Sequence, residues 1–476
     1  DPGLGKTFTF LLFVAAKQTL AKGKMPKTLV SVPTSCLEQW YVELINTIRI
    51  LPNRVLKTNK LADITDTSLQ SHDFFIVSRE LVGRAFAQCF EWVVQLRQNE
   101  RGNWLSGFDR IAGTELHPLL TTRFGILGID EVHFCRNTTT KWTQGHQHVA
   151  QNSDSVVGMT ATPIFNRPDD MLGIATAMNL PVEWRCASKW FTDRKRTRIN
   201  LESTTQFNRL FTDRASDDLL SLPPITDEVV NFEASLNPAD VLEYNETLTR
   251  ARKLHFSMLR RGNANMQDQT KLMAFLTKMQ QMLVSPVLVE KGAKEVKRDP
   301  HLLALAAEQG AGSLTALREQ LCSLGDRGFK RIMVAACHTS LLHVAKHYME
   351  TNCPEVGRVI VYEGGLTQKK RAEALQSFLN QPRTVMLMSI EAGGTGLHLV
   401  PGSNAVIFWG SRPFSPMQIL QTKKRIHRIG QEHPVTVVHL IANGSVDDAI
   451  NQVHADKLAL ARAVVDEVRT VHSSYL

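Results

Sequence analysis

Three short stretches of this sequence place charged and hydroxyl side chains in patterns that suit chemistry on a phosphate. The first is GLGKT, residues 3 to 7. It ends in the Gly-Lys-Thr of a phosphate-binding loop. In such a loop Gly3 and Gly5 let backbone amides approach a phosphate, Lys6 reaches the outer phosphates of a nucleotide and Thr7 ligates Mg²⁺. The apolar stretch TFTFLLFVAAKQTL follows at once, so the phosphates would meet the positive end of a helix. The second stretch, GILGIDEVHFCRN (125 to 137), sets an apolar run against two adjacent carboxylates, Asp130 and Glu131. Carboxylates at the carboxyl end of a buried strand are costly to desolvate unless a cation or hydrogen bonds compensate. That end of a parallel sheet is also where such folds bind ligands. Asp130 is expected to hold Mg²⁺ through water, and Glu131 to orient or deprotonate the attacking water. A helix N-cap pair is the competing reading for an isolated Ile-Asp-Glu, and it weakens beside Lys6 and Thr7. The third stretch is QILQTKKRIHRIGQ (418 to 431). If helical, it puts Gln421, Arg425 and Arg428 at i, i+4 and i+7 on one face. Arginines aimed at a phosphate stabilise transition-state charge, whereas a solvated basic helix face is the plain alternative.

These residues need elements to carry them. Two regions alternate short β-branched runs with helical segments, the pattern of parallel sheets. The first holds candidate strands at 27–33, 73–78, 124–130 and 155–161; the second at 331–337, 358–364, 384–389, 405–410 and 435–441. Between them LEYNETLTRARKLHFSMLRR and TKLMAFLTKMQQMLV have helical spacing. The expected fold is α/β: a lobe over 1–175, a helical insert and inter-lobe region over 176–300, and a second lobe over 301–476. The methionines of KLMAFLTKMQQM read as core of the insert rather than a partner-binding face.

Composition sets the outer limits. With 476 residues, 43% hydrophobic and 21% charged, the chain is ordinary for a globular protein and long enough for more than one domain. A net charge of +9 is compatible with a polyanionic partner without requiring one. Seven cysteines, with no CxxC pair and no neighbouring histidine at ligand spacing, argue against zinc modules and disulfide frameworks. The apolar run FTFLLFVAA is too short to span a bilayer, so no membrane role is expected. The chain opens inside a motif without Met, as a fragment truncated at its N-terminal end would.

The motifs, taken together, resemble the Swi2/Snf2 ATPases of helicase superfamily 2. DPGLGKT resembles motif I, VPTSCLEQW (32–40) motif Ia, IVSRELV (76–82) the segment that follows, and DEVHFCRN motif II. GMTATPIFNRPDDM (158–171) resembles motif III, LPPITDEVV (222–230) the family's inter-lobe strand and MQQMLVSPVL (279–288) a family helix end. YEGGLTQKKR (362–371), SIEAGGTGLHLV (389–400) and QTKKRIHRIGQ (421–431) resemble motifs IVa, V and VI. DEVHFCRN, with HPLLTTRF just before it, resembles the Rad5/Rad16-like branch, although the cysteines leave no RING finger.

The resemblance implies two RecA-like lobes with ATP bound between them. It implies ATP contacts from Gly3, Gly5, Lys6 and Thr7, Mg²⁺ on Thr7 and Asp130, catalysis by Glu131, Arg425 and Arg428, and coupling through His133. Gly394 and Gly396 would form the motif V turn, and Gln421 would complete the nucleotide site. Contacts to a DNA backbone would come from Pro33, Thr34, Ser78, Thr160, His338, Ser340 and Thr395. Val132 and Ala161 stand where the family has glycine, and Ser411 and Phe414 where it tends to have Asp and Trp; these positions bear on packing and coupling. The activity implied is a DNA-dependent ATPase that translocates on double-stranded DNA and remodels nucleosomes or other DNA-bound proteins. It would work in a nucleus or at a site of viral DNA replication. A strand-separating helicase and a catalytically weak nucleotide-binding scaffold are the alternatives.

Overall fold

Apolar runs of four to six residues bounded by turn residues become strands here because a parallel sheet buries both of their faces. The computed structural model describes residues 5–21, 25–48, 50–98, 104–161, 170–180, 222–261, 266–310, 312–393, 399–400, 402–410, 412–455 and 458. The chain divides into two compact units, Asp1–Ser216 with Ala459–Leu476, and Asp217–Leu458.

In the first unit β1 (Thr28–Val32), β2 (Val55–Thr58), β3 (Phe74–Ser78), β6 (Ile126–Asp130) and β7 (Val156–Met159) form a sheet in the order β2-β3-β1-β6-β7. Every neighbouring pair is parallel. The register sets the carboxyl ends side by side, Val32 opposite Ser78 and Asp130 opposite Met159. Alternation along the strands feeds two cores. Leu29, Phe75, Val77 and Leu127 pack on one face; Val30, Phe74, Ile76 and Trp40 pack on the other.

The helix Lys6–Leu20 lies on that second face through Phe10, Leu11 and Val14, all buried. Its seat is Gly128 of β6, where a Cβ would fall 2.6 Å from the Phe10 ring. Gly128→Ala must therefore displace the helix that begins with Lys6, and overpacking of this kind costs about 1–3 kcal/mol. Denaturant unfolding should show that loss; a variant as stable as wild type would mean the ring relaxes freely.

Three first-unit strands were not expected, β2 and the pair β4 (Phe90–Gln98) and β5 (Trp104–Arg110), which form an antiparallel hairpin. The stretch of the hairpin lacks clean alternation. The hairpin is anchored by tertiary contacts, Phe90 stacking on Phe86 at 4.4 Å and Phe108 meeting Phe86 edge-on at 5.2 Å.

The second unit carries β8 (Ile225–Phe232), β9 (Arg331–Ala336), β10 (Arg358–Tyr362), β11 (Thr384–Ser389), β12 (Ala405–Phe408) and β13 (Val435–Ala442). They form an all-parallel sheet in the order β10-β11-β9-β12-β13-β8. Helices Pro238–Arg261 and Met266–Met282 lie in the stretch expected to be helical. From Asp217 onward, however, that stretch belongs to the second unit, and it also contributes an edge strand, β8. Met279 and Met282 are buried with Tyr244, Val446 and Ile450, so these two methionines are core. No helix among the described residues is long and apolar enough to cross a membrane.

Candidate functional site

Gly5 begins the site. It caps the helix Lys6–Leu20 in a left-handed conformation, φ 74°, that side chains with a Cβ rarely adopt. The first intrahelical bond is Thr9 N to Gly5 O at 2.9 Å, so the amides before Thr9 precede the helical ladder. No acidic residue occupies the first turn, which leaves the positive end of the helix to an external anion. Thr7 is half-buried in that turn. Lys6 Nζ crosses to Glu131 Oε1 at 2.9 Å, tying the helix to the carboxyl end of β6.

At that end the chain turns sharply. Glu131 has φ 51° and ψ 48°, left-handed for a residue with a side chain, before the tight turn Val132–Cys135. Such backbone costs on the order of 1 kcal/mol or more and concentrates at functional sites. Asp130 is buried and both of its oxygens accept bonds: Oδ1 from Glu131 N at 3.0 Å and Oδ2 from Trp40 Nε1 at 3.0 Å. Burial, and then the neighbouring charge of Glu131, push the Asp130 carboxyl up to about 6 against Lys6 and Trp40. Burial also pushes Glu131 up, but Lys6 and His133 outweigh it and hold that carboxyl below the ordinary range. His133 Nδ1 lies 3.2 Å from Glu131 Oε2 and 2.9 Å from the hydroxyl of Thr160, just past β7. Lys6, Glu131, His133 and Thr160 thus form one chain of polar contacts past the carboxyl ends of β6 and β7.

These residues fit Mg²⁺. Among the described residues no group of three or more His, Cys, Asp or Glu side chains could hold a metal. A single buried carboxylate, Asp130, with the Thr7 hydroxyl at a helix N-terminus suits an ion that keeps several of its waters.

The residues expected at a DNA backbone fall at strand ends. Pro33 and Thr34 follow β1, and Thr34 donates its hydroxyl to Glu80 Oε2 at 2.9 Å. Ser78 ends β3 but is buried, with no partner for its hydroxyl among the described residues. His338 caps the helix Thr339–Asn352 and burial lowers its pKa; Ser340, two residues on, is buried. Ser78 and Ser340 are therefore both buried within their own units. Gly3, Gly394, Thr395 and Gly396 lie outside the described residues, as does Ser411.

The stretch 418–431 is helical only at its start. The helix spans Pro416–Lys423. Beyond it Arg425 N bonds Thr422 O and Ile426 N bonds Lys423 O, each at 3.1 Å, closures that tighten the chain into turns. Arg425 and Arg428 consequently do not share a helical face with Gln421, which is buried on the helix itself. Gln431 is one of the partners that hold this turn. Its side-chain amide donates to Ile426 O at 2.7 Å and Ser403 O at 3.0 Å, and Gly430, at φ 95°, turns the chain back to allow it. Buried His427 contributes by bonding Pro223 O at 2.9 Å, a structural part in holding the turn. Both arginines are half-buried and belong to the second unit, Glu131 to the first.

Residues 1–288 match the family model "SNF2-related domain", and residues 314–430 match "Helicase conserved C-terminal domain". The chain belongs to the SNF2-related family. A chromodomain-helicase-DNA-binding protein 1-like of Mus musculus is 28% identical over 231 residues, 48% of this chain and 25% of the relative. The ISWI chromatin-remodeling complex ATPase ISW1 of Saccharomyces cerevisiae is 22% identical over 486 residues, 99% of this chain and 38% of the relative. The chain thus spans well under half the length of these curated relatives. Among solved structures, a Sulfolobus solfataricus SWI2/SNF2 ATPase core in complex with dsDNA is 20% identical, with a TM-score of 0.38; the match covers 99% of this chain and 89% of that one.

In this SNF2-related chain the departure at Val132 has a packing counterpart. Val132 is buried, and its Cγ1 lies 3.2 Å from where a Cβ on Gly158 of β7 would stand, so glycine across the sheet makes room for valine. Two contributors were missed in the sequence. Trp40 meets Phe10 edge-on at 5.8 Å and also donates to Asp130. Arg79 lies over the Phe134 ring at 4.7 Å and bonds Glu80 at 2.9 Å, linking the Thr34 contact to the turn that follows Glu131. Only the position of both residues inside recognised motifs could have signalled them.

Proposed function

We propose that this chain is the motor of an ATP-driven translocase on double-stranded DNA, one that remodels nucleosomes or other protein–DNA complexes in a nucleus. The observation that carries the reading is the contact chain Lys6–Glu131–His133–Thr160, which joins the phosphate-binding helix to a carboxylate held ionised at the carboxyl end of β6. A phosphate arriving at the helix N-terminus competes with Glu131 for the Lys6 ammonium. Once Lys6 turns to the phosphate, Glu131 loses the charge that depresses its basicity and can take a proton from the attacking water. Asp130 and Thr7 would hold Mg²⁺, which when bound neutralises charge on the phosphates. Arg425 and Arg428 would stabilise charge on the transferred phosphoryl group. His133 is suited to pass a change at Thr160 to Glu131, since it touches both. The net charge of +9 supports sequence-independent attraction to a DNA backbone.

Steady-state ATPase measured with and without duplex DNA tests the reading, together with displacement of a triplex strand. Stimulation by duplex and triplex displacement without strand separation are expected. Strand separation would favour a helicase, and DNA-independent, near-zero turnover a scaffold. Lys6→Ala removes one charge-assisted phosphate contact, worth about 2 kcal/mol, and should weaken ATP binding roughly thirtyfold. Unchanged affinity in equilibrium titration would remove Lys6 from the site.

A further inference from the structure

The turn that carries Arg425 and Arg428 is held from outside its own motif. Lys423, the last residue of the helix Pro416–Lys423, pairs through Nζ with Asp227 Oδ1 on β8, and its side chain is only 16% exposed. The same oxygen accepts from His439 Nε2 of β13 at 3.0 Å. His439 in turn lies flat on Phe408 of β12, with ring centroids 5.1 Å apart and planes at 8°. The His439 bond, followed by Lys423, holds the Asp227 carboxyl down at about 2, so it stays ionised. Four residues earlier the same segment meets the turn again. Pro223 O accepts from His427 at 2.9 Å, and Pro224 O accepts from Val435 N at 2.9 Å. Arg425 is therefore bracketed: two residues before it Lys423 is tied to Asp227, and two residues after it His427 is tied to Pro223. Arg428 follows His427 directly. Nothing in the turn's own hydrogen bonds requires this second anchorage.

We propose that Asp227 is a positioning residue for ATP hydrolysis, fixing through Lys423 the point at which the helix ends and hence the placement of Arg425 and Arg428. This rests on the reading that those arginines act on the phosphate. Asp227 makes no contribution to binding nucleotide. It acts on turnover alone, because only the reacting phosphoryl group depends on the guanidinium position. A purely structural staple would behave differently. An ion pair whose acidic partner is 48% exposed adds little to stability, so its removal would leave both melting and turnover almost unchanged.

The experiment is a double-mutant cycle in the DNA-stimulated ATPase assay, with Asp227→Asn and Lys423→Met alone and combined, and Arg428→Ala alongside. Each single variant should lower kcat on the order of tenfold, with the KM for ATP within about twofold of wild type. Melting should be unchanged. The double variant should be no slower than either single one, because both break the same contact. Wild-type kcat in Asp227→Asn beside an inactive Arg428→Ala overturns the positioning role and leaves the site reading standing. A shift in KM rather than kcat, or losses that multiply in the double variant, also overturns it. Normal turnover in Arg428→Ala overturns both.

Discussion

Arg428→Ala is expected to bind ATP about as tightly as the parent protein and to hydrolyse it at least a thousandfold more slowly. A guanidinium that meets a phosphate only as charge develops on the transferred group contributes little to the ground state, so its loss falls on kcat. Arginines in this role contribute about 10³–10⁵ in rate, equivalent to roughly 4–7 kcal/mol of barrier. Arg428→Lys keeps the charge but not the planar fork, and should recover only part of the rate. Single-turnover hydrolysis beside equilibrium nucleotide binding separates the two quantities. A wild-type rate in Arg428→Ala would remove the arginine from the reaction. The turn in which Arg428 sits is held by Gln431 and His427, both buried, so the substitution itself should leave the fold intact.

Glu131→Gln should likewise retain ATP and turn it over about a hundred- to ten-thousandfold more slowly, the range in which a positioned general base contributes. Glutamine has the same shape and can still accept from Lys6 through its carbonyl oxygen, so the helix Lys6–Leu20 should keep its tie to β6. It cannot take a proton. In the folded protein Glu131 is held below the ordinary carboxylate range by Lys6 and His133 together, against its burial. A carboxyl with a lowered folded-state pKa contributes stability above its unfolded value and loses that stability as pH falls through the folded value. Wild type should therefore be the more stable protein at neutral pH, and the difference from Glu131→Gln should shrink on acidification. Thermal melting of both proteins across that range checks the sign. An advantage for wild type that grew on acidification would contradict the assigned cause.

The parts of this protein that could be read directly are those governed by local chemistry. Lys6 and Thr7 before an apolar helix, and Asp130 and Glu131 after an apolar strand, announced themselves because each residue type is costly or unusual where it stands. Nine strands were legible for a related reason: a strand buried on both faces is largely apolar, as β1 and β11 are, both buried along their whole length with only Thr and Ser interrupting the apolar run. Strand β8 was not visible from its own pattern. Its residues ITDEVVNF are largely exposed, and only pairing along β13 makes them a strand.

The arginine turn marks the same divide. A continuous helix from Gln421 to Arg428 would have put the three side chains on one face, and helix propensity gives no reason to stop at Lys423. What ends the helix is a set of long-range partners. Gln431 reaches Ser403, His427 reaches Pro223 and Lys423 reaches Asp227, the last two across about two hundred residues of chain. The left-handed backbone of Glu131 is only partly of this kind: Asp130 and His133 contact it locally, and Lys6 reaches its side chain from far away in the chain. The sequence by itself determined the chemistry, the types of groups and the order in which they occur. The tertiary structure alone decided how those groups are aimed, because hydrogen bonds between residues far apart in the chain outweigh local backbone preferences of a few tenths of a kcal/mol per residue.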